Sequence, residues 1–152
     1  MGIQRRLRGF TIIELLVVVA IFTLLASVGI VQLLRARITT NEQLALTSLR
    51  QIGKACQFYF LARGQFPPTL ATLGPAGSTP PYLDPTLGAD PATKQGYTFT
   101  YTQGVGGRSF TLLGNPQQHG TTGVRHFYMN EMLTIYATSQ NQDATTADPV
   151  LP

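Results

Sequence analysis

The strongest constraint in the chain is a run of 25 residues, Phe10 to Leu34, that contains a single charge, Glu14. About 20 predominantly apolar residues suffice to cross the core of a bilayer. The run is apolar all round, which suits a helix in lipid or at the centre of an assembly better than one on the surface of a domain. Arg5, Arg6 and Arg8 precede it. Cations ahead of such a segment favour keeping that end in the cytoplasm. Residues 1–9 therefore read as a short basic leader, residues 10–34 as a membrane-spanning segment, and the remainder as extracytoplasmic. The abundance of Thr, Gln, Gly and Pro after the run, with few charges, agrees with that placement.

The formal charge of +4 belongs largely to the leader: from Phe10 onward eight Lys/Arg stand against seven Asp/Glu. No basic stripe interleaved with aromatics remains to follow a phosphate backbone, so nucleic acid is not an expected partner. With Cys56 as the one cysteine, no intrachain disulfide and no cysteine-based metal site can form. Cys56 is expected to be a buried free thiol. His119 and His126 have no Cys or paired carboxylate at ligand spacing, so no metal site is assigned. Gly104-Val-Gly-Gly107 lacks the Lys-Ser/Thr pair of a phosphate loop and reads as a hairpin turn. No nucleophile-and-base constellation, paired carboxylates or cofactor fingerprint occurs. The expectation is a protein that is not an enzyme and needs no cofactor.

After Leu34 the pattern changes but the helix does not stop. Over residues 35–63, Ile38, Ala45, Leu49, Ile52, Cys56 and Tyr59 recur at spacings of three, four or seven and form one stripe. Glu42, Ser48, Arg50, Gln51, Lys54 and Gln57 lie mostly away from it. No proline interrupts Thr11 to Arg63, which predicts one helix of about 52 residues, roughly 78 Å at 1.5 Å per residue. Gly64 and Pro67-Pro68 end it. Seven of the ten prolines fall between Gly64 and Gly96, predicting an irregular surface loop with a helical turn at Thr69 to Leu73. Alternation in Tyr97-Thr-Phe-Thr-Tyr-Thr102 predicts a half-buried strand. Ser109 to Leu113 forms a second strand, and His126 to Met129 and Leu133 to Tyr136 form a further hairpin around Asn130-Glu131. The polar tail from Ser139 is expected to be loosely held. The fold class is α+β: a long N-terminal helix whose second half packs on a small antiparallel sheet, residues 64–152 completing the head with 35–63.

The junction Arg8-Gly9-Phe10-Thr11-Ile12-Ile13-Glu14-Leu15-Leu16 resembles the leader-and-helix junction of type IV prepilins and type II secretion pseudopilins. That pattern is a basic leader, Gly, then Phe-Thr-Leu-Ile-Glu-Leu and an apolar helix. Ile12 replaces its Leu, and Val31 stands where the family commonly has proline. The resemblance is close over about residues 5 to 35 and architectural beyond. It implies a pilin-like fold and a structural role. A prepilin peptidase would cut between Gly9 and Phe10 and then methylate the Phe10 amine. An inner-membrane platform with its ATPase would build the subunits, alone or mixed with other pilins or pseudopilins, into a periplasmic or extracellular filament. Glu14 would be the assembly residue.

The physics of Glu14 supports that role. An ionised carboxylate in an apolar helix is costly unless paired. Within the family's geometry the nearest cation is the Phe10 amine of a neighbouring subunit, which methylation leaves charged. Removing one partner of such a buried pair costs about 3–5 kcal/mol. Two simpler readings compete. Thr11-x-x-Glu14 matches a helix capping box, and the apolar run could serve as a plain anchor or as a signal peptide cut near Ala26-Ser27. In the contrasting functional class the chain is a membrane-anchored extracytoplasmic binding module that never polymerises. The family's disulfide-closed loop cannot form here, and the acidic calcium loop of major pseudopilins is not evident in Asp143 and Asp148. Together these favour a pseudopilin or minor pilin.

Overall fold

The computed structural model describes residues 9–151. The basic leader, with Arg5, Arg6 and Arg8, lies outside the described residues. Helix α1 spans Ile12–Arg63, followed by a short 3-10 turn at Leu70–Leu73. Six strands follow: β1 Ala92–Lys94, β2 Tyr97–Gln103, β3 Phe110–Pro116, β4 His126–Asn130, β5 Ile135–Thr138 and β6 Val150–Leu151. Each pairs antiparallel with the next in chain order, so the sheet is a single meander. By contacts the chain divides into two compact units, one ending at Ala36 and the other beginning at Arg37.

In the second unit the strand alternation works as the pleat requires. Tyr97, Phe99 and Tyr101 of β2, Phe110 and Leu112 of β3, Phe127 and Met129 of β4, and Ile135 of β5 are buried on one face. The opposite face carries Thr100, Thr102 and Thr111 into solvent. Ala45, Leu49, Ile52 and Cys56 are buried with the inner face in one core, as the stripe predicted. Two glycines set how closely helix and sheet approach. A Cβ on Gly53 would lie 2.7 Å from Leu133 Cδ2 and from Met129 Sδ, and one on Gly114 would lie 2.6 Å from Leu49 Cδ1. Burial pushes the Cys56 thiol up to about 12, so it is an inert packing group.

Four details differ from the sequence reading. Glu42 and Ser48 are buried rather than turned outward. The fourth predicted strand begins at Ile135, because Leu133 has φ of 60° and residues 130–133 form a turn; there Asn130 Oδ1 accepts from the Met132 N–H and Asn130 O from the Leu133 N–H. The proline-rich segment is more than a surface loop. It buries Leu70, Leu73, Leu83 and Leu87 and adds β1, which turns into β2 through Gln95 and Gly96, both at positive φ. The tail is anchored by buried Ala144, by Asp148 accepting from the Thr145 N–H and hydroxyl, and by β6.

Candidate functional site

The site the sequence singles out lies at the start of α1. Gly9 is exposed and a Cβ there would meet nothing within 4 Å. Phe10 is 75% exposed. Thr11 is the last residue before the helix and holds its first turn. Its carbonyl accepts from the Glu14 and Leu15 N–H groups, and its hydroxyl accepts from the Glu14 N–H at 3.3 Å. The Glu14 carboxylate reaches back, with Oε2 accepting from the Thr11 N–H at 3.4 Å and the Thr11 hydroxyl at 3.3 Å. This is a reciprocal capping box. A carboxylate there also meets the positive end of the helix dipole. The long, weak geometry leaves Glu14 exposed with acceptor capacity to spare.

The described side chains that follow, through residue 37, are all exposed. One helix in the described residues is long and apolar enough to cross a membrane, and its apolar window falls in this half. Its two described hydroxyls are satisfied within the helix. Thr23 Oγ1 donates to Ala20 O and Ser27 Oγ to Leu24 O, each at 2.8 Å. The backbone is likewise paired, so the segment offers lipid or a neighbouring helix no unpaired hydroxyl there.

Two polar clusters in the head were not foreseen. The first joins α1 to the β3–β4 loop. Glu42, only 6% exposed, accepts from the Val124 N–H at 2.9 Å, the Arg125 N–H at 3.1 Å and Arg125 Nε at 2.7 Å, while Asn41 Nδ2 donates to Thr122 O. Burial alone would raise the Glu42 carboxyl; the Val124 N–H, the Arg125 side chain and the Arg125 N–H outweigh it and hold the group below its ordinary value. The signal was present in the spacing, since residue 42 lies four after Ile38 and three before Ala45, on the buried stripe.

The second cluster brings the two histidines together. Asn115 Nδ2 donates to Asp143 Oδ1 at 2.6 Å. A carboxylate only accepts, so Asn115 Oδ1 is left to accept from His126 Nδ1–H at 2.9 Å. Neutral His126 then presents Nε2 to His119 Nδ1–H at 3.2 Å. Desolvation, aided by His119, lowers the His126 pKa against the opposing pull of Asp143. No strand pattern announces this contact, because β3, the loop after it and the C-terminal tail each contribute part of it. Among the described residues no group of three or more His, Cys, Asp or Glu gathers as a metal site.

An exposed apolar helix opening on a Thr–Glu cap, continuing into a stripe buried on an antiparallel meander, defines a membrane-anchored type IV pilin-like protein. A family profile described as the prokaryotic N-terminal methylation motif matches residues 4–30. The chain is 33% identical over 115 residues to the type II secretion system core protein G of Pectobacterium carotovorum subsp. carotovorum, covering 76% of this chain and 71% of that protein. Against the protein of the same name from Dickeya chrysanthemi it is 28% identical over 123 residues, covering 80% and 76%. The chain belongs to the core protein G family of pilin-like subunits.

Proposed function

We propose that the chain is a structural subunit, not a catalyst, of a type II secretion pseudopilus-like filament. It is stored in the inner membrane with its N-terminus cytoplasmic and its head periplasmic. A prepilin peptidase cleaves between Gly9 and Phe10 and methylates the Phe10 amine, and an assembly platform with its ATPase extrudes the subunits. On docking, the Phe10 amine of an incoming subunit neutralises Glu14 of a subunit already placed. Pairing removes two unsatisfied charges at once and so selects one axial register. Close fit between the exposed apolar helix faces supplies the rest of the association.

The observation that carries this reading is the state of Glu14. It is the one charge in the apolar run, its hydrogen bonds among the described residues reach no further than Thr11, and they are long enough to be exchanged for a stronger, charge-assisted partner. Mass spectrometry of the mature protein from its host tests it. The expected N-terminus is methylated Phe10. Retention of the arginine-bearing leader, or a start at Ser27, would mean that the pairing amine never forms.

A further inference from the structure

The head exposes two unlike patches on opposite flanks of the solvent side of α1. On one flank the β4–β5 turn lies against the helix: Gln57 Nε2 donates to Glu131 O, and Gly53 faces Met129 and Leu133. This turn holds out Met132, 76% exposed, beside Glu131. On the other flank a groove of about 330 Å³ runs between α1 and the middle of the proline-rich segment. Its lining includes Lys54, Ala55, Phe58, Tyr82 and Leu83. Phe58 is 61% and Tyr82 40% exposed. At about 100° per residue, Phe58 stands roughly 140° around the helix from Gly53 and roughly 100° from Gln57, with Lys54 between Phe58 and Gln57, so knob and groove take different faces on either side of the exposed ridge.

We propose that the occupant of the groove is the Glu131-Met132 turn of a second copy of this chain. The Met132 side chain would enter against Phe58 and Tyr82, a contact that thioether and aromatic groups favour. Glu131 would come to Lys54. Neither is in an ion pair among the described residues, and the groove's one carboxylate, Asp84, is engaged by Lys94 at 3.0 Å. Charge and apolarity are therefore complementary between the patches and not within either one. Two different patches on separate faces of a subunit make a heterologous contact, which can propagate instead of closing as a dimer. The inference rests on the filament reading above, and it names the head-to-head contact that the helix core alone leaves undetermined.

The test uses the full chain assembled in its host membrane, with Met132→Cys and Phe58→Cys introduced together. Mild oxidation of the assembled material is expected to give a reducible ladder in multiples of the subunit mass, absent from either single variant. In parallel, Lys54→Glu and Glu131→Lys should each lose most of the assembled material, and the two together should recover it. If wild-type filaments form but the double-cysteine variant gives no ladder and the double charge reversal gives no recovery, the contact is wrong while the filament reading stands. Cross-linking into one species of foreign mass would assign the groove to another partner and overturn the proposal. If the wild-type chain forms no multimer at all, the underlying reading fails first, and the contact with it.

Discussion

Glu14 and Glu42 are the two acids of α1, 28 residues apart on the same helix, and the chain treats them in opposite ways. Glu42 is buried and gathers two backbone N–H groups and a guanidinium from a loop about 80 residues further on. Glu14 is exposed and turns back to its own first turn. The apolar residues around them divide likewise. Ala45, Leu49 and Ile52 are covered by the head's own sheet, whereas Ile13, Leu16 and Val17 are left exposed among the described residues. Lacking cover and partner together is what separates a surface awaiting a bilayer or another subunit from one completed by folding. The hydrophobic effect rewards removal of apolar area from water in either case, but only the second half of α1 obtains that reward within a single chain.

The sharpest way to break this contrast is to exchange the loss between the two sites. Glu14→Ala is expected to abolish assembly while leaving cleavage at Gly9 and the unfolding of the head unchanged. Filaments at wild-type abundance in this variant would remove the pairing role. Unfolding of the head can be followed in detergent by near-UV circular dichroism. The chain has six tyrosines and no tryptophan, and all six lie between residues 59 and 136. A second comparison pairs two leucines. Leu49→Ala should destabilise the head by about 2–5 kcal/mol, as expected for truncating a fully buried leucine. Leu24→Ala, in the exposed half, should leave the head's unfolding midpoint where it is; an equal shift in both would mean that the two halves share one core.

Glu42→Gln comes next, with an expected loss of about 2–3 kcal/mol, since it removes the charge from hydrogen bonds to the Val124 and Arg125 N–H groups and to the Arg125 side chain. Its pH dependence gives the sign. The Glu42 carboxyl is lowered in the fold, so its contribution is complete above the ordinary value of 4.5 and is lost as pH falls through the lower folded-state value. Glu42→Gln should flatten that acid limb. If the limb is as steep in the variant, other carboxylates carry it.

The first half of α1 was legible because its signals are local. A Thr-x-x-Glu acts within one turn and a run without proline needs no distant partner to form a helix, and the capping box is where the spacing put it. The stripe from Ala45 to Cys56 was equally plain. What escaped needed tertiary context. Glu42 was assigned outward on residue type although its position lay on the stripe, because its partners sit in a loop with no pattern of its own. Leu70, Leu73, Leu83 and Leu87 were hidden because irregular backbone buries apolar residues without periodicity. Met132 and the Phe58–Tyr82 groove could not be paired from sequence, since a turn and a groove gain meaning only once their flanks of the helix are known. Leu133 was drawn into a strand by its side chain, yet its positive φ is set by the Asn130 turn.

The smallest effect expected is at His126, and it separates the head's two polar clusters from each other. His126 is buried against His119, with Asn115 on its other ring nitrogen and Asp143 beyond. Desolvation and then His119 lower its pKa from the ordinary 6.5, and Asp143 only partly opposes them. A base lowered in the fold binds its proton more readily when unfolded. Stability is therefore complete above about pH 6.5, declines as pH falls through the window below it, and declines no further from this group once the folded-state value is passed. That window opens at 6.5 and the one set by Glu42 at 4.5, so on acidification the wild-type head should begin to lose stability through the histidine before it does so through the carboxylate. His126→Gln should erase the loss that begins near 6.5 and keep the one that begins near 4.5, and Glu42→Gln the reverse. If one substitution flattened both, the histidine chain and the Glu42–Arg125 lock would be a single network through the β3–β4 loop. Protonation at either end would then loosen how the loop is held to α1.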